Sequence, residues 1–127
     1  MAELRTIGGT QRVLPPELVE ALSARFGDRF HVGEAMRLEH GKSETHFAPM
    51  PPDAVVFAES TDDVVALVKA CADSNVPIIA FGAGTSVEGN TLAVQGGVAI
   101  NLSRMTRIIA VNTEDFDCVV EAGVRRE

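Results

Sequence analysis

The chain has 127 residues, of which 46% are hydrophobic and 23% charged, and 11 Lys and Arg against 18 Asp and Glu give a formal charge of -7. This is the composition of a globular domain long enough to bury one core. The acidic balance argues against a nucleic-acid binder. No apolar run reaches the ~18 residues of a membrane span, and the polar start Met1-Ala2-Glu3-Leu4-Arg5 is no signal peptide, which points to a soluble cytoplasmic protein.

In chain order, residues 1–12 read as a polar, glycine-containing terminus that frays. Pro15 and Pro16 precede Leu18, Leu22 and Phe26 at helical spacing, and Gly27 stands just past them, predicting a helix over 17–26. Residues 28–50 lack clear periodicity, and their three histidines, His31, His40 and His46, read as surface or turn residues. Pro49-Met50-Pro51-Pro52 ends this stretch as a rigid extended turn.

From there the pattern becomes regular. The apolar run 54–58 predicts a buried strand, and Ser60 with Asp63 three positions on resembles a helix N-cap close to a capping box. Val64, Leu67, Val68 and Cys71 mark the apolar face of that helix, Asn75 suits its end, and residues 76–81 form the next strand. Strand, helix and strand make a βαβ unit with parallel strands. Further short strands are expected at 98–102, 108–112 and 118–122, giving an α+β fold. Cys71 and Cys118 form no metal or redox motif and read as small core residues in a reducing compartment. One oddity is that the chain stops at Val124-Arg125-Arg126-Glu127, straight after a strand-like segment.

The segment with chemical content is Gly82-Ala83-Gly84-Thr85-Ser86-Val87-Glu88-Gly89-Asn90, directly after a predicted strand. Glycines let a backbone approach an anion closely, and successive N–H groups form an anion-binding concavity. The dinucleotide fingerprint G-x-G-x-x-G fits Gly82 and Gly84 but meets Val87 at its third glycine. The P-loop G-x-x-x-x-G-K-[ST] fits Gly84, Gly89 and Thr91 but has Asn90 at the lysine position, and no Lys or Arg follows before Arg104. What remains is a diphosphate held by backbone amides and hydroxyls. Hydrogen bonds to a charged acceptor contribute about 1.5–3 kcal/mol each, so four or five suffice without a lysine. Glu88 would oppose one phosphate charge by about 2 kcal/mol at ~8 Å and an effective dielectric near 20, so it is expected to face solvent. A loop that merely turns the chain is the plain alternative.

Several segments together resemble a known family. The run from Pro52 through Val65 leads into Val76-Pro77, then into Phe81 and the glycine loop. Gly97-Val98-Ala99-Ile100-Asn101-Leu102-Ser103-Arg104-Met105 and Val120-Glu121-Ala122-Gly123-Val124 follow in order. This is similar to the N-terminal part of FAD-linked oxidases of the vanillyl-alcohol-oxidase type, with a PCMH-type FAD-binding domain. The nearest likeness is to the D-lactate dehydrogenase (cytochrome) and glycolate oxidase subunit branch. His40-Gly41-Lys42-Ser43-Glu44-Thr45-His46 is similar to a run before the first strand in that branch. The likeness covers residues 40–127 well and 13–39 weakly, and residues 1–39 are expected to form an extension with one helix.

The resemblance implies that Gly82, Ala83, Gly84, Thr85, Ser86, Gly89 and Asn90 surround the FAD pyrophosphate. The loop carries no histidine for a covalent flavin link, so non-covalent FAD is expected, and Phe81 stands where many relatives have a basic residue. The resemblance further implies oxidation of a D-2-hydroxy acid and electron transfer to an external acceptor in the intact enzyme. It assigns no catalytic or metal-binding residue to this chain. The flavin domain of such enzymes continues past residue 127, so an open sheet and self-association are expected. Two readings from other classes stand beside this one: a P-loop-like nucleotide-binding protein and a non-catalytic interaction domain.

Overall fold

A computed structural model describes residues 12–126. The first eleven residues of the expected fraying terminus lie outside the described residues. Arg12 itself is tied down, its backbone N–H donating to Asp53 Oδ1 at 3.0 Å.

The first helix, α1 (Pro16–Phe26), has proline at its start and Gly27 at its C-cap with φ 56°. Leu18, Leu22 and Phe26 are buried along one face, as their spacing requires. The stretch without periodicity folds as well. A 3₁₀ turn (Gly27–Arg29) leads into strand β1 (Phe30–His31) and then into helix α2 (Glu34–Glu39). Two-residue and six-residue elements are too short to print a hydrophobic period, and α2 buries none of its residues.

Strand β2 (Ala54–Phe57) is followed by helix α3 (Thr61–Asp73) and strand β3 (Ile78–Phe81). The cap of α3 forms as its sequence suggests. Ser60 Oγ accepts from Asp63 N at 3.2 Å, and Asp63 Oδ2 reaches back to Glu59 N at 3.0 Å. At the other end Asn75 adopts φ 54°, while Val76 N donates to Cys71 O and Asn75 N to Ala72 O, closing a Schellman motif. The buried face of α3 carries Asp63, Leu67 and Cys71. Val68 is a correction: it is exposed, because a face centred on Leu67 takes the residues three and four positions away and not the next one along.

Strand β4 (Val98–Asn101) inserts between β2 and β3, pairing parallel with both, and β1 adds antiparallel to β2, giving the order β1-β2-β4-β3. The two strands of the βαβ unit are thus parallel but not neighbours. β4 is buried along its whole length, which explains its continuous apolar run. The core lies between this sheet and the two longer helices, with Leu18, Leu22, Phe26, Leu67 and Cys71 packed against Val56, Val98 and Ile100. Strands β5 (Ile108–Asn112) and β6 (Asp117–Val120) form a separate antiparallel hairpin. Cys118, expected in the core, is exposed on β6, because the hairpin is not covered by the four-stranded sheet; Cys71 is buried and both cysteines are free.

Candidate functional site

The glycine loop leaves β3 at the carboxyl ends of three parallel strands, where open α/β sheets place their ligands. Gly84 and Gly89 adopt φ 73° and 84°, a region that disfavours any side chain. A Cβ on Gly84 would also meet the Phe81 ring at 2.6 Å, whereas Gly82 faces open space.

The loop divides into two parts. Residues 82–85 line clefts, while 86–90 fold on themselves. Ser86 Oγ donates to Asn90 Oδ1 at 2.9 Å and accepts from Glu88 N at 3.3 Å. Gly89 backs onto the Phe47 ring. Of the seven sequence candidates, Gly82, Ala83, Gly84 and Thr85 therefore border the clefts, and Ser86, Gly89 and Asn90 shape the turn behind them. Glu88 is exposed, as the electrostatic argument requires.

On one side of the loop lies a cleft of about 570 Å³, bordered by His40, Lys42, Ser43, Phe57, Phe81 and Asn101. His40 sits in the turn that follows α2, in line with the turn half of the sequence reading, but at 3% exposed it is not a surface residue. Its Nδ1 lies 2.9 Å from Met36 O and its Nε2 3.0 Å from Asn101 Nδ2. Asn101 Oδ1 accepts from Ser103 N at 2.9 Å, which orients the amide so that Nδ2 donates to His40. In this arrangement Nδ1 donates to Met36 O and Nε2 accepts from Asn101, so both ring nitrogens are engaged and His40 ties the turn after α2 to β4. It packs against Phe81 in a tilted contact, 4.4 Å between ring centroids, and meets Phe57 edge-on at 5.9 Å. Ser43 Oγ, buried at the cleft, has no hydrogen-bond partner among the described residues.

On the other side is a cleft of about 320 Å³, with Gly82, Ala83 and Thr85 on one wall and residues 122–126 on the other. Gly123 sets that second wall. Its N–H donates to Met105 O at 2.8 Å, and its Cα packs so tightly on Leu102 O that no Cβ fits. Leu102 N in turn donates to Phe81 O at 2.9 Å, which ties this wall to the start of the loop. Arg125 and Arg126 therefore reach the loop from far along the chain, and no local pattern announced it. Arg104, the nearest cation in sequence, is used elsewhere: it pairs with Glu59 at 3.4 Å and lies over the Phe57 ring. Glycine-loop backbone, Thr85 and two arginines thus border one cleft, and these are the residue types that can bind an anion.

Comparison with known proteins gives the family. Residues 52–127, more than half the chain, match the family model described as FAD binding domain. A probable mitochondrial D-lactate dehydrogenase from Danio rerio is 46% identical over 96 residues, covering 76% of this chain and 19% of that protein. The mitochondrial D-lactate dehydrogenase [cytochrome] of Arabidopsis thaliana is 38% identical over 120 residues, covering 93% and 21% respectively. The chain thus spans about a fifth of the length of the curated relatives it matches. Among solved structures, an alkyldihydroxyacetonephosphate synthase superposes with a TM-score of 0.75 at 25% identity, over 93% of this chain and 26% of that one. No helix among the described residues is long and apolar enough to cross a membrane. By family match and relatives, the chain belongs to the FAD binding domain family of FAD-linked oxidoreductases, with FAD as its cofactor.

Proposed function

We propose that this chain is the diphosphate-holding part of an enzyme that oxidises a D-2-hydroxy acid of the D-lactate or glycolate kind and passes the electrons to an external acceptor. The observation that carries the reading is the loop at the carboxyl ends of β2, β4 and β3, with residues 82–85 bordering two clefts. The backbone amides of 82–85 and the Thr85 hydroxyl hold the FAD diphosphate, while Ser86, Gly89 and Asn90 keep the loop in shape. The fit is supported by the open space in front of Gly82, which leaves room for a ligand against the loop backbone. When bound, FAD supplies the two-electron acceptor for the hydride leaving the α-carbon of the hydroxy acid.

His40 and Phe81 act by position. Their rings, packed at a tilt, brace Gly84 from behind, so the loop backbone is fixed before any ligand arrives. The flavin is held non-covalently, and the two free cysteines suit a reducing interior, the cytoplasm in this reading.

The test is on the full-length protein. Purified enzyme should carry flavin that acid precipitation releases into the supernatant, and D-lactate or glycolate should bleach it anaerobically while L-lactate does not. Flavin absent from the purified protein, or unbleached by both acids, would overturn the reading. Gly84→Val should lower flavin content by about tenfold or more, since the residue both strains φ and strikes Phe81.

A further inference from the structure

The two clefts beside the loop differ in charge. The larger has Lys42 together with Glu39 and Glu44 at its border. The smaller has Arg125 and Arg126 and no carboxylate among the described residues lining it. Ala83 belongs to both, so the loop is a ridge between an acidic-leaning side and a basic side. In a chain of charge -7, two adjacent cations facing a glycine loop are a local reversal of sign.

We infer that the FAD diphosphate lies on the smaller-cleft side of the loop, and that Arg125 and Arg126 are its cationic partners. This rests on the reading that the loop holds the diphosphate and adds which face is used and which charges answer it. The geometry supports it through a short chain of contacts. Phe81 O accepts from Leu102 N, Leu102 O packs on Gly123, and Gly123 N donates to Met105 O, so Gly123, two residues before Arg125, is tied to the start of the loop through backbone contacts. A diphosphate in this cleft has loop amides and the Thr85 hydroxyl on one side and guanidinium groups on the other. Guanidinium forks match phosphate oxygens in pairs, and such charge-assisted bonds are about twice as strong as neutral ones. Arg125 and Arg126 thus occupy the role that the missing P-loop lysine would fill, from a distant part of the chain. Both side chains are exposed, so their attraction is screened by salt, and that gives the inference a signature of its own.

The experiment uses full-length protein stripped of flavin, with FAD and riboflavin as probes and binding followed by flavin fluorescence at several salt concentrations. FAD affinity should fall with salt, and the affinity for riboflavin, which has no phosphate, should not. Arg125→Gln with Arg126→Gln should weaken FAD by about 10- to 100-fold and flatten its salt dependence. The same variant should leave riboflavin affinity and the melting temperature unchanged, and Arg125→Lys with Arg126→Lys should recover part of the FAD affinity. Unchanged FAD affinity and salt slope in the glutamine variant overturns the inference. So does salt-independent FAD binding by the unsubstituted protein, a measurement that needs no variant to fold. Gly84→Val separates the two levels. If it loses FAD while the glutamine variant keeps it, only the role of the arginines fails. If it keeps FAD as well, the loop reading fails with it.

Discussion

Asp63 shows how one carboxylate can join two elements. Its oxygens accept from Arg29 at 2.7 Å, Arg25 at 3.2 Å and the Glu59 amide at 3.0 Å, while its own N–H caps onto Ser60. Burial alone would raise its pKa. The hydrogen bond from Arg29, then the Glu59 amide and the charges of Arg29 and Arg25, outweigh that and hold the carboxyl below its ordinary range. A carboxyl lowered by folding contributes stability above its unfolded pKa of about 3.9, and the contribution is lost as pH falls through the lower folded value. Urea titrations should therefore show Asp63→Asn less stable by about 2 kcal/mol at neutral pH, with the gap closing in acid. The two cysteines supply a second test at this scale. Burial pushes the Cys71 thiol up to about 11, whereas Cys118 is exposed. Native protein should take up one maleimide on Cys118, read by peptide mass spectrometry, and Cys71 should react only after unfolding.

Among the elements, α3 was legible almost to the residue. Its cap, its apolar face and its αL terminus each rest on side chains within one turn of the backbone they satisfy. Strands β2 and β4 were legible as apolar runs because both faces are covered. β1 and α2 were not, since neither is long enough to show a period. Gly123 joins the elements at the smaller cleft, and its neighbours there are backbone oxygens that cannot turn aside. Gly123→Ala should cost about 1–3 kcal/mol in thermal or urea unfolding. It should also weaken FAD binding in the full-length protein, because the wall carrying Arg125 and Arg126 moves with it.

At the scale of the molecule, the four-stranded sheet and the β5–β6 hairpin are unequal. The sheet is packed against helices, whereas the hairpin exposes Ile108, Ile109, Val111, Val119 and Val120, with Phe116 at its tip 96% exposed. Apolar surface of this kind drives association unless something covers it. The 127-residue chain should self-associate in sedimentation experiments as its concentration rises. Ile109→Lys with Val119→Lys should return it to monomer without lowering the melting temperature, since neither side chain lies in the core. A chain that stays monomeric at high concentration would count against this expectation.

Length and composition first suggested one self-contained domain. The spacing of apolar residues, the capping residues and the glycine run determined the α+β class, the principal helices and the place of the glycine loop after β3. These are local properties, set within a few residues by hydrogen bonding and periodicity. Tertiary structure alone decided the rest. It placed β4 between β2 and β3, buried His40 against Phe81 and Asn101, left Cys118 and the hairpin uncovered, and brought Arg125 and Arg126 to the loop. Each of these depends on contacts between residues far apart in the chain, whose register comes from packing and backbone hydrogen bonds that no short window of sequence contains.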